Sequence, residues 1–369
     1  MNLFKLVFFV FLLSIAGTCF SARPASALEA GAGKAETTPP WPVYLGGYYY
    51  VNTRSKGVHD PLYTRAIAFR QDGETVILIS LDVVIMGGVF AKEIKEMIEE
   101  KLGVPPDNVT ITATHTHTGP EGYYEEFGKY PKEYDPKLKE FMQGKVLEAA
   151  TAAVESMQPA KAALKVVEYP ERMSNRHDPD GPEDPRAVIV VVRDESGKPF
   201  AGFLNMPSHA TSAPAEQLLV SAGWPGFFTA AMEEKMGGVF LFLQGAAGNI
   251  SPRGTGGEDR WAGIKGYGDR LAADVWKEIE NMPAGVSDFP VAGVMKEYGN
   301  VPVRRASSVR EFAREMPEKI RKIKESDLSE KEKERQIGWL KERMGIENFM
   351  QPMIGSMSRV KKGRTRTWV

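Results

Sequence analysis

The sequence predicts an α/β protein: a mixed β-sheet core flanked by helices, with a charged helical segment near the C-terminus. Short β-prone runs occur both as a hairpin pair and in alternation with helical stretches, which mixes antiparallel and parallel pairing. Apolar residues at helical spacing mark the intervening helices. A hydrophobic content of 42% with 26% charged residues over 369 positions suits a substantial core, in one large domain or two ordinary ones.

At the N-terminus, Lys5 precedes the apolar run 6–13 and then Ala25-Ser26-Ala27, the charged region, apolar region and small-residue cleavage site of a secretory signal. Residues 1–27 are therefore expected to be a signal peptide that sends the chain to the periplasm or out of the cell. The apolar run is shorter than the ~20 residues a membrane span requires. A lipid anchor on Cys19 is the weaker alternative, because Thr18 fits a lipidation motif poorly. Residues 28–43, rich in Ala, Gly, Thr and Pro, read as a linker.

Strands are expected at 62–69 and 75–81, joined through Gln71-Asp72-Gly73-Glu74, a hairpin signal. Residues 90–102 have helical spacing and end at Gly103, a natural C-terminal stop. A strand at 109–113 runs into His115-Thr116-His117-Thr118-Gly119-Pro120. Asp135-Pro136 reads as an N-cap followed by a first-turn proline, opening a helix that extends to about Met157. Further strands are expected at 163–167, 187–192, 200–205 and 238–243, and a final long helix ends near Ile279. Residues 307–345 are highly charged with sparse apolar positions, as in a solvated helical excursion. An irregular basic tail follows, which sets 306–369 apart from the main body.

Composition narrows the chemistry. Lys+Arg number 47 against 48 Asp+Glu, so the broad basic surface of a nucleic-acid binder is not expected. Cys19 is the only cysteine, and removing the signal leaves no thiol for a disulfide, a nucleophile or a metal. The five histidines are His59, His115, His117, His177 and His209. His115 and His117 are two apart, so on an extended backbone both imidazoles project from one face. His209 follows another expected strand. With no thiolate present, imidazole plus carboxylate fits zinc with an open position, although a His-x-His pair on a loop is equally compatible with inert, hydrogen-bonded rings.

A second concentration is the loop 244–254, Gln-Gly-Ala-Ala-Gly-Asn-Ile-Ser-Pro-Arg-Gly. Its glycines allow backbone N–H groups to approach a ligand, and Ser251 would stand at a strand's carboxyl end as a nucleophile or oxyanion donor. An ordinary glycine-rich turn explains the same residues. Arg176 could polarise a carbonyl or hold an anion, or be a plain surface arginine. Asp82 could orient an imidazole or simply cap a strand.

Taken in chain order, five segments resemble the neutral/alkaline non-lysosomal ceramidase family, in its N-terminal catalytic region. They are Gly57-Val58-His59-Asp60-Pro61-Leu62-Tyr63, Ala113-Thr114-His115-Thr116-His117-Thr118-Gly119-Pro120, Ser174-Asn175-Arg176, Asn205-Met206-Pro207-Ser208-His209-Ala210-Thr211, and Gln244 through Pro252. The resemblance implies a catalytic domain over 44–305. It makes His115 and His209 zinc ligands, places His117 beside the metal as a residue needed for activity, gives Arg176 contact with substrate or transition state, and makes Ser251 the essential serine. Zn2+ would polarise an amide carbonyl and acidify water. The implied partner is a lipid-like N-acyl amide, ceramide being the suspected one, with peripheral membrane contact and no protein partner.

Departures accompany the match. The family completes its zinc shell with a glutamate in a Pro-Gly-Glu segment and a more distant tyrosine, and neither is found before Val369; Gly223 and Asn249 stand where acidic residues are expected. A short, C-terminally truncated member is therefore expected. Two readings stay open: an active amidohydrolase, or a catalytically impaired relative that serves as a binding protein or remnant.

Overall fold

The computed structural model describes residues 27–47, 53–124, 133–176, 180–286, 308–330, 333–334 and 336–337. The chain divides into two compact units, Met1–Val294 and Met295–Val369. The expected signal peptide and the basic tail lie outside the described residues. Among the described residues, no helix is long and apolar enough to cross a membrane.

In the first unit, the first half of the chain builds one sheet and the helices on it. Its elements are β1 (Glu29–Glu36), β2 (Tyr63–Gln71), β3 (Glu74–Leu81), α1 (Gly88–Leu102), β4 (Val109–Ala113) and α2 (Pro136–Glu155). The sheet order is β4-β3-β2-β1, closed by the two-residue strand Gln158–Pro159, and only β3 and β4 run parallel. The second half supplies β5 (Lys161–Glu168), β6 (Met173–Asn175), β7 (Arg186–Arg193), β8 (Pro199–Met206), α3 (Gly223–Met236), β9 (Val239–Gln244), β10 (Ile250–Pro252) and α4 (Arg260–Glu280). Here the order is β9-β8-β7-β5, with β8 and β9 parallel, while β6 and β10 form a separate antiparallel pair.

Strand periodicity of two explains how these parts stack. Ala66 and Ala68 of β2 face α1 and α2, joining Ile77, Ile94, Ile98, Met142 and Val146 in one core. Their neighbours Ile67 and Phe69 point the other way, onto Val192, Ala201 and Leu241 of the second sheet. That sheet's outer face buries Ile189, Leu204 and Phe242 under Trp224, Phe228, Tyr267 and Leu271 of α3 and α4. The result is four layers, helix–sheet–sheet–helix, with both sheets covered on both faces. Each fully buried aliphatic or aromatic side chain contributes about 1.5–3 kcal/mol.

Several local signals are realised as the sequence predicts. Asp72 and Gly73 both have positive φ, 53° and 84°, as a type I′ hairpin turn requires. Gly103 closes α1 in the left-handed conformation and donates its N–H to the Glu99 carbonyl. Asp135 caps α2 by accepting the Leu138 N–H at 3.1 Å, with Pro136 in the first turn.

Residues 28–43 are a correction. The expected linker instead contains β1, eight residues paired in register with Tyr63–Arg70 of β2. Its glycines are there because a helix lies against them: a Cβ on Gly31 would fall 2.2 Å from the Ala153 carbonyl oxygen, and one on Gly33 2.1 Å from that of Ala149. Small residues on both elements let α2 sit on the strand, so a composition typical of a linker here serves close packing. Helix α3 (Gly223–Met236) was also not expected, since the sequence predicts no element between the strands at 200–205 and 238–243. Pro225 lies in its first turn, where no backbone N–H is needed, and Trp224 packs edge-on against Phe242 and Tyr267 at 4.8 and 5.1 Å.

One buried ionic network ties the first sheet to α3. The Arg65 guanidinium donates to Glu233 at 2.7 Å and to Asp82 at 3.3 Å, and Lys34 reaches Glu233 at 2.6 Å. Burial alone would raise the Glu233 carboxyl, but Arg65 and Lys34 hold it below its usual value; the Asp82 carboxyl, whose desolvation outweighs Arg65, is raised. Glu233 is thus the principal partner of Arg65. Asp82 also accepts the Tyr63 N–H at 2.9 Å, which makes it a strand cap and not a partner of an imidazole.

In the second unit, α5 (Ser308–Glu325) realises part of the expected charged helical segment, and Met316, Ile320 and Ile323 form its apolar stripe.

Candidate metal centre

The carboxyl ends of the parallel pairs β3/β4 and β8/β9 supply the site, as is usual for ligand-binding loops in such sheets. After β4 the chain is fastened back onto the segment following β3: Thr114 N–H bonds the Leu81 carbonyl at 2.8 Å and His115 N–H the Val83 carbonyl at 3.0 Å. His115 itself has φ 65°, a left-handed conformation that few residues with a side chain adopt. Beyond it, side chains alternate. Thr116 and Thr118 turn inward, and both hydroxyls donate to the Ser221 carbonyl at 2.9 Å, while His115 and His117 face outward together. His209, just past β8, is held by its N–H on the Ile250 carbonyl at 3.2 Å and by the Trp224 indole on its own carbonyl at 3.1 Å.

All three imidazoles converge. Nε2 of His115 lies 3.0 Å from Nε2 of His209 and 3.4 Å from that of His117, and the His117–His209 separation is 3.2 Å. The opposite ring nitrogens face the backbone. Nδ1 of His115 meets the Val84 carbonyl at 2.5 Å, and Nδ1 of His209 the Ala247 carbonyl at 3.1 Å. His117 hydrogen-bonds the Gly47 backbone. Gly47 has φ 83°, and a Cβ there would lie 2.3 Å from His117 Cγ, so only glycine fits beneath this ring. A carbonyl can only accept, so for His115 and His209 these contacts place the ring proton on Nδ1 and leave an Nε2 lone pair aimed at the common centre.

Burial, with Arg176 adding to it, holds His115 below the ordinary imidazole value of 6.5. His117 is held well below it, by burial and then by His115, His209 and Arg176. Both rings are therefore neutral near pH 7. The lone pairs of His115 and His209, facing each other at 3.0 Å, repel unless a cation lies between them. Three nitrogens each about 2.0–2.1 Å from a tetrahedral zinc would be about 3.3 Å apart, and the observed 3.0–3.4 Å fits. Among the described residues this is the one group of three or more His, Cys, Asp or Glu positioned to hold a metal. It contains no carboxylate.

Arg176 stands beside the cluster, its N–H on the Asn249 carbonyl at 2.8 Å and its Nε on that of Gly248 at 3.0 Å. Partial burial lowers its pKa, yet a guanidinium stays charged. Ser251 lies in β10, paired in register with Ser174 and adjacent to the Ile250 carbonyl that holds His209. Among the described residues its hydroxyl makes no hydrogen bond, and none links it to an imidazole. The imidazoles and Arg176 are thus brought together directly, and Ser251 through its strand. Gly223 has φ 63°, and a Cβ there would stand 3.3 Å from the Thr116 hydroxyl, so an acidic side chain would be strained at this position. The sequence reading missed Gly47, which carries no motif, and the Thr-x-Thr pair interleaved with His-x-His, which was visible at period two.

The family model "Neutral/alkaline non-lysosomal ceramidase, N-terminal" matches residues 28–261. Neutral ceramidase A of Dictyostelium discoideum is 24% identical over 266 residues, 63% of this chain and 37% of that protein. The neutral ceramidase of Mycobacterium tuberculosis is 27% identical over 240 residues, 57% and 38% of the two. A crystal structure of the neutral ceramidase from Pseudomonas aeruginosa shares the fold, with a TM-score of 0.62 and 22% identity, covering 68% of this chain and 44% of that one. The chain thus spans less than half the length of these relatives. With more than half of its residues matched by the family model, the chain belongs to the neutral/alkaline non-lysosomal ceramidase family, through that family's N-terminal domain.

Proposed function

We propose that the protein is an exported, zinc-dependent amidohydrolase of the neutral ceramidase type, which hydrolyses the N-acyl amide of ceramide or a related lipid-like amide. The observation that carries this reading is the convergence of the three Nε2 atoms at 3.0–3.4 Å, with the Nδ1 atoms of His115 and His209 committed to backbone carbonyls. His115, His117 and His209 would hold the ion. A divalent cation bound there supplies Lewis-acid polarisation of the amide carbonyl and acidifies water.

The remaining residues act around that centre. Arg176, anchored through Nε and its backbone N–H, presents its positive end toward the imidazole side of the loop and stabilises negative charge that develops on the carbonyl oxygen. Such a donor contributes a few kcal/mol, so Arg176→Ala is expected to lower kcat by roughly 10²–10³. Ser251, next to the Ile250 carbonyl that holds His209, would attack the amide or position it; both roles need its hydroxyl. His117 keeps its ring neutral, in contact with both other imidazoles.

One observation favours a second reading, a catalytically impaired binding protein: among the described residues the cluster holds imidazoles and no carboxylate. Purified full-length chain, with and without added zinc, should be assayed on a fluorescent N-acyl sphingosine. Zinc-dependent turnover that disappears in His115→Ala, His209→Ala and Ser251→Ala supports the hydrolase. Stoichiometric zinc without turnover supports the binding protein, and absence of zinc binding refutes both metal-based readings.

A further inference from the structure

The segment Gly57–Tyr63 resembles the family motif, yet nothing in it touches the imidazoles. Its Asp60 nevertheless begins a continuous chain of hydrogen bonds that ends on the two threonines flanking His117. Asp60 Oδ1 accepts the Ser221 hydroxyl at 2.5 Å, and Oδ2 accepts the Ala222 N–H at 2.9 Å, at the start of α3. A carboxylate at a helix N-terminus is favoured by the helix dipole as well as by the bonds themselves. The Ser221 hydroxyl in turn accepts the Gly223 N–H at 2.9 Å. Ser221 is thereby fixed at both its side chain and the following turn, and its carbonyl is the acceptor for both Thr116 and Thr118. Those two threonines flank His117 and follow His115.

Asp60 is itself held on its other side. His59 Nδ1 lies 2.8 Å from Oδ1, and the His59 ring is stacked on Trp261 of α4 at 3.8 Å and 11°. Backbone bonds from His59 N–H to the Val220 carbonyl at 2.8 Å and from Ser221 N–H to the Thr118 carbonyl at 3.1 Å complete the brace. Ser221 therefore makes four hydrogen bonds to the 116–118 loop and Asp60, accepting the Thr116 and Thr118 hydroxyls and donating to the Thr118 carbonyl and the Asp60 carboxylate.

We propose that Asp60 is a positioning residue of the metal centre, acting through Ser221 to clamp the loop 116–118 so that the imidazoles of His115 and His117 stay at metal-binding separation from His209. The proposal rests on the metal-centre reading above. It requires the relay, in which a carboxylate fixes the carbonyl acceptor of two threonines, to carry metal affinity without any contact with the metal ligands. Partners of metal ligands typically contribute about 10–100-fold to affinity.

Zinc binding to the full chain should be measured by chelator competition, alongside the visible spectrum of the cobalt-loaded protein. Asp60→Ala is expected to weaken zinc binding about 10–100-fold and to change the cobalt spectrum, with Asp60→Asn, which keeps one acceptor oxygen, losing less. The near-isosteric pair Thr116→Val with Thr118→Val, which removes the bonds to the Ser221 carbonyl together with the 3.4 Å contacts between the two threonines, should reproduce the effect and serves if Asp60→Ala does not fold. Gly31→Ala, remote from the site and destabilising through α2, should lower the unfolding midpoint while leaving affinity and spectrum unchanged. If zinc binds Asp60→Ala and the threonine double variant as tightly as the parent chain, the relay is refuted and the metal centre stands. If the parent chain itself binds no zinc, the underlying reading falls first.

Discussion

Replacing Gly33 with alanine tests whether the Gly/Ala-rich lead segment is structural, because two accounts predict opposite signs. A Cβ at position 33 would lie 2.1 Å from the Ala149 carbonyl oxygen, 2.7 Å from the Ala153 nitrogen and 2.8 Å from the Ala152 Cβ. Ordinary carbon–oxygen contact is about 3.3 Å, so α2 would have to retreat by roughly 1 Å. Two of the three obstructing atoms are helix backbone, which cannot rotate aside, and overpacking of this kind costs about 1–3 kcal/mol, here taken near the upper end. Against this, alanine restricts the unfolded chain and returns about 0.4–1 kcal/mol. The net is a destabilisation of about 2 kcal/mol, or a fall of roughly 4–8 °C in Tm for a unit of this size. Differential scanning calorimetry and urea denaturation would measure it. Gly144 provides the internal control: it lies on the exposed side of α2 with nothing within 4 Å of a built Cβ, so Gly144→Ala should stabilise by about 0.5–1 kcal/mol. An unchanged or raised midpoint for Gly33→Ala would refute the packing argument and restore the linker interpretation.

Other consequences can be measured on the same protein. Glu233→Ala leaves the Arg65 guanidinium, whose side chain is 3% exposed, without its principal partner, and a loss of about 3–5 kcal/mol is expected by chemical denaturation. Zinc at a hundredfold excess over its Kd should stabilise the folded chain by about 2.7 kcal/mol, a rise of roughly 5–10 °C in Tm that a chelator reverses and that His115→Ala and His209→Ala abolish. Without metal, the depressed folded-state pKa values of His115 and His117 mean that the unfolded chain binds protons first as pH falls. Stability of the metal-free protein should therefore hold above pH 6.5 and decline as pH drops from there through the lower folded values. His117→Gln should flatten that decline, as read from unfolding midpoints across pH 5–8.

How much of this was legible in the sequence depended on the range of the interaction. Turn and cap signals act over a few residues, and Asp72-Gly73, Gly103 and Asp135-Pro136 each declared its element. The strand ends that deliver His115 and His209 were equally visible, because apolar runs stop there. What could not be read was anything fixed by a distant partner. Gly31 and Gly33 have the same composition whether they bend a linker or accept a helix 116 or more residues away, and only the packed structure separates the two. Trp224-Pro225-Gly226 carries turn residues, yet burial of Trp224 between α4 and β9 makes the segment helical. Tertiary burial here overrides local propensity. The inward lean of His117 likewise depends on Gly47, which no spacing rule connects to it, and Asp82 was drawn away from the imidazoles by Arg65, an ion pair formed across neighbouring strands.

The imidazoles reach their meeting point from different layers: His115 and His117 leave the end of β4, His209 the end of β8, and the two outer positions are 94 residues apart in the chain. An ion shared among them would act as a clasp across the rim of two sheets whose facing surfaces are largely apolar. Its removal should loosen that rim while the opposite end, where α2 covers β1, keeps its protection. Amide exchange would then quicken in the loops 114–119 and 244–250 well before global unfolding, so that occupancy of the centre also governs how long the chain survives proteolysis.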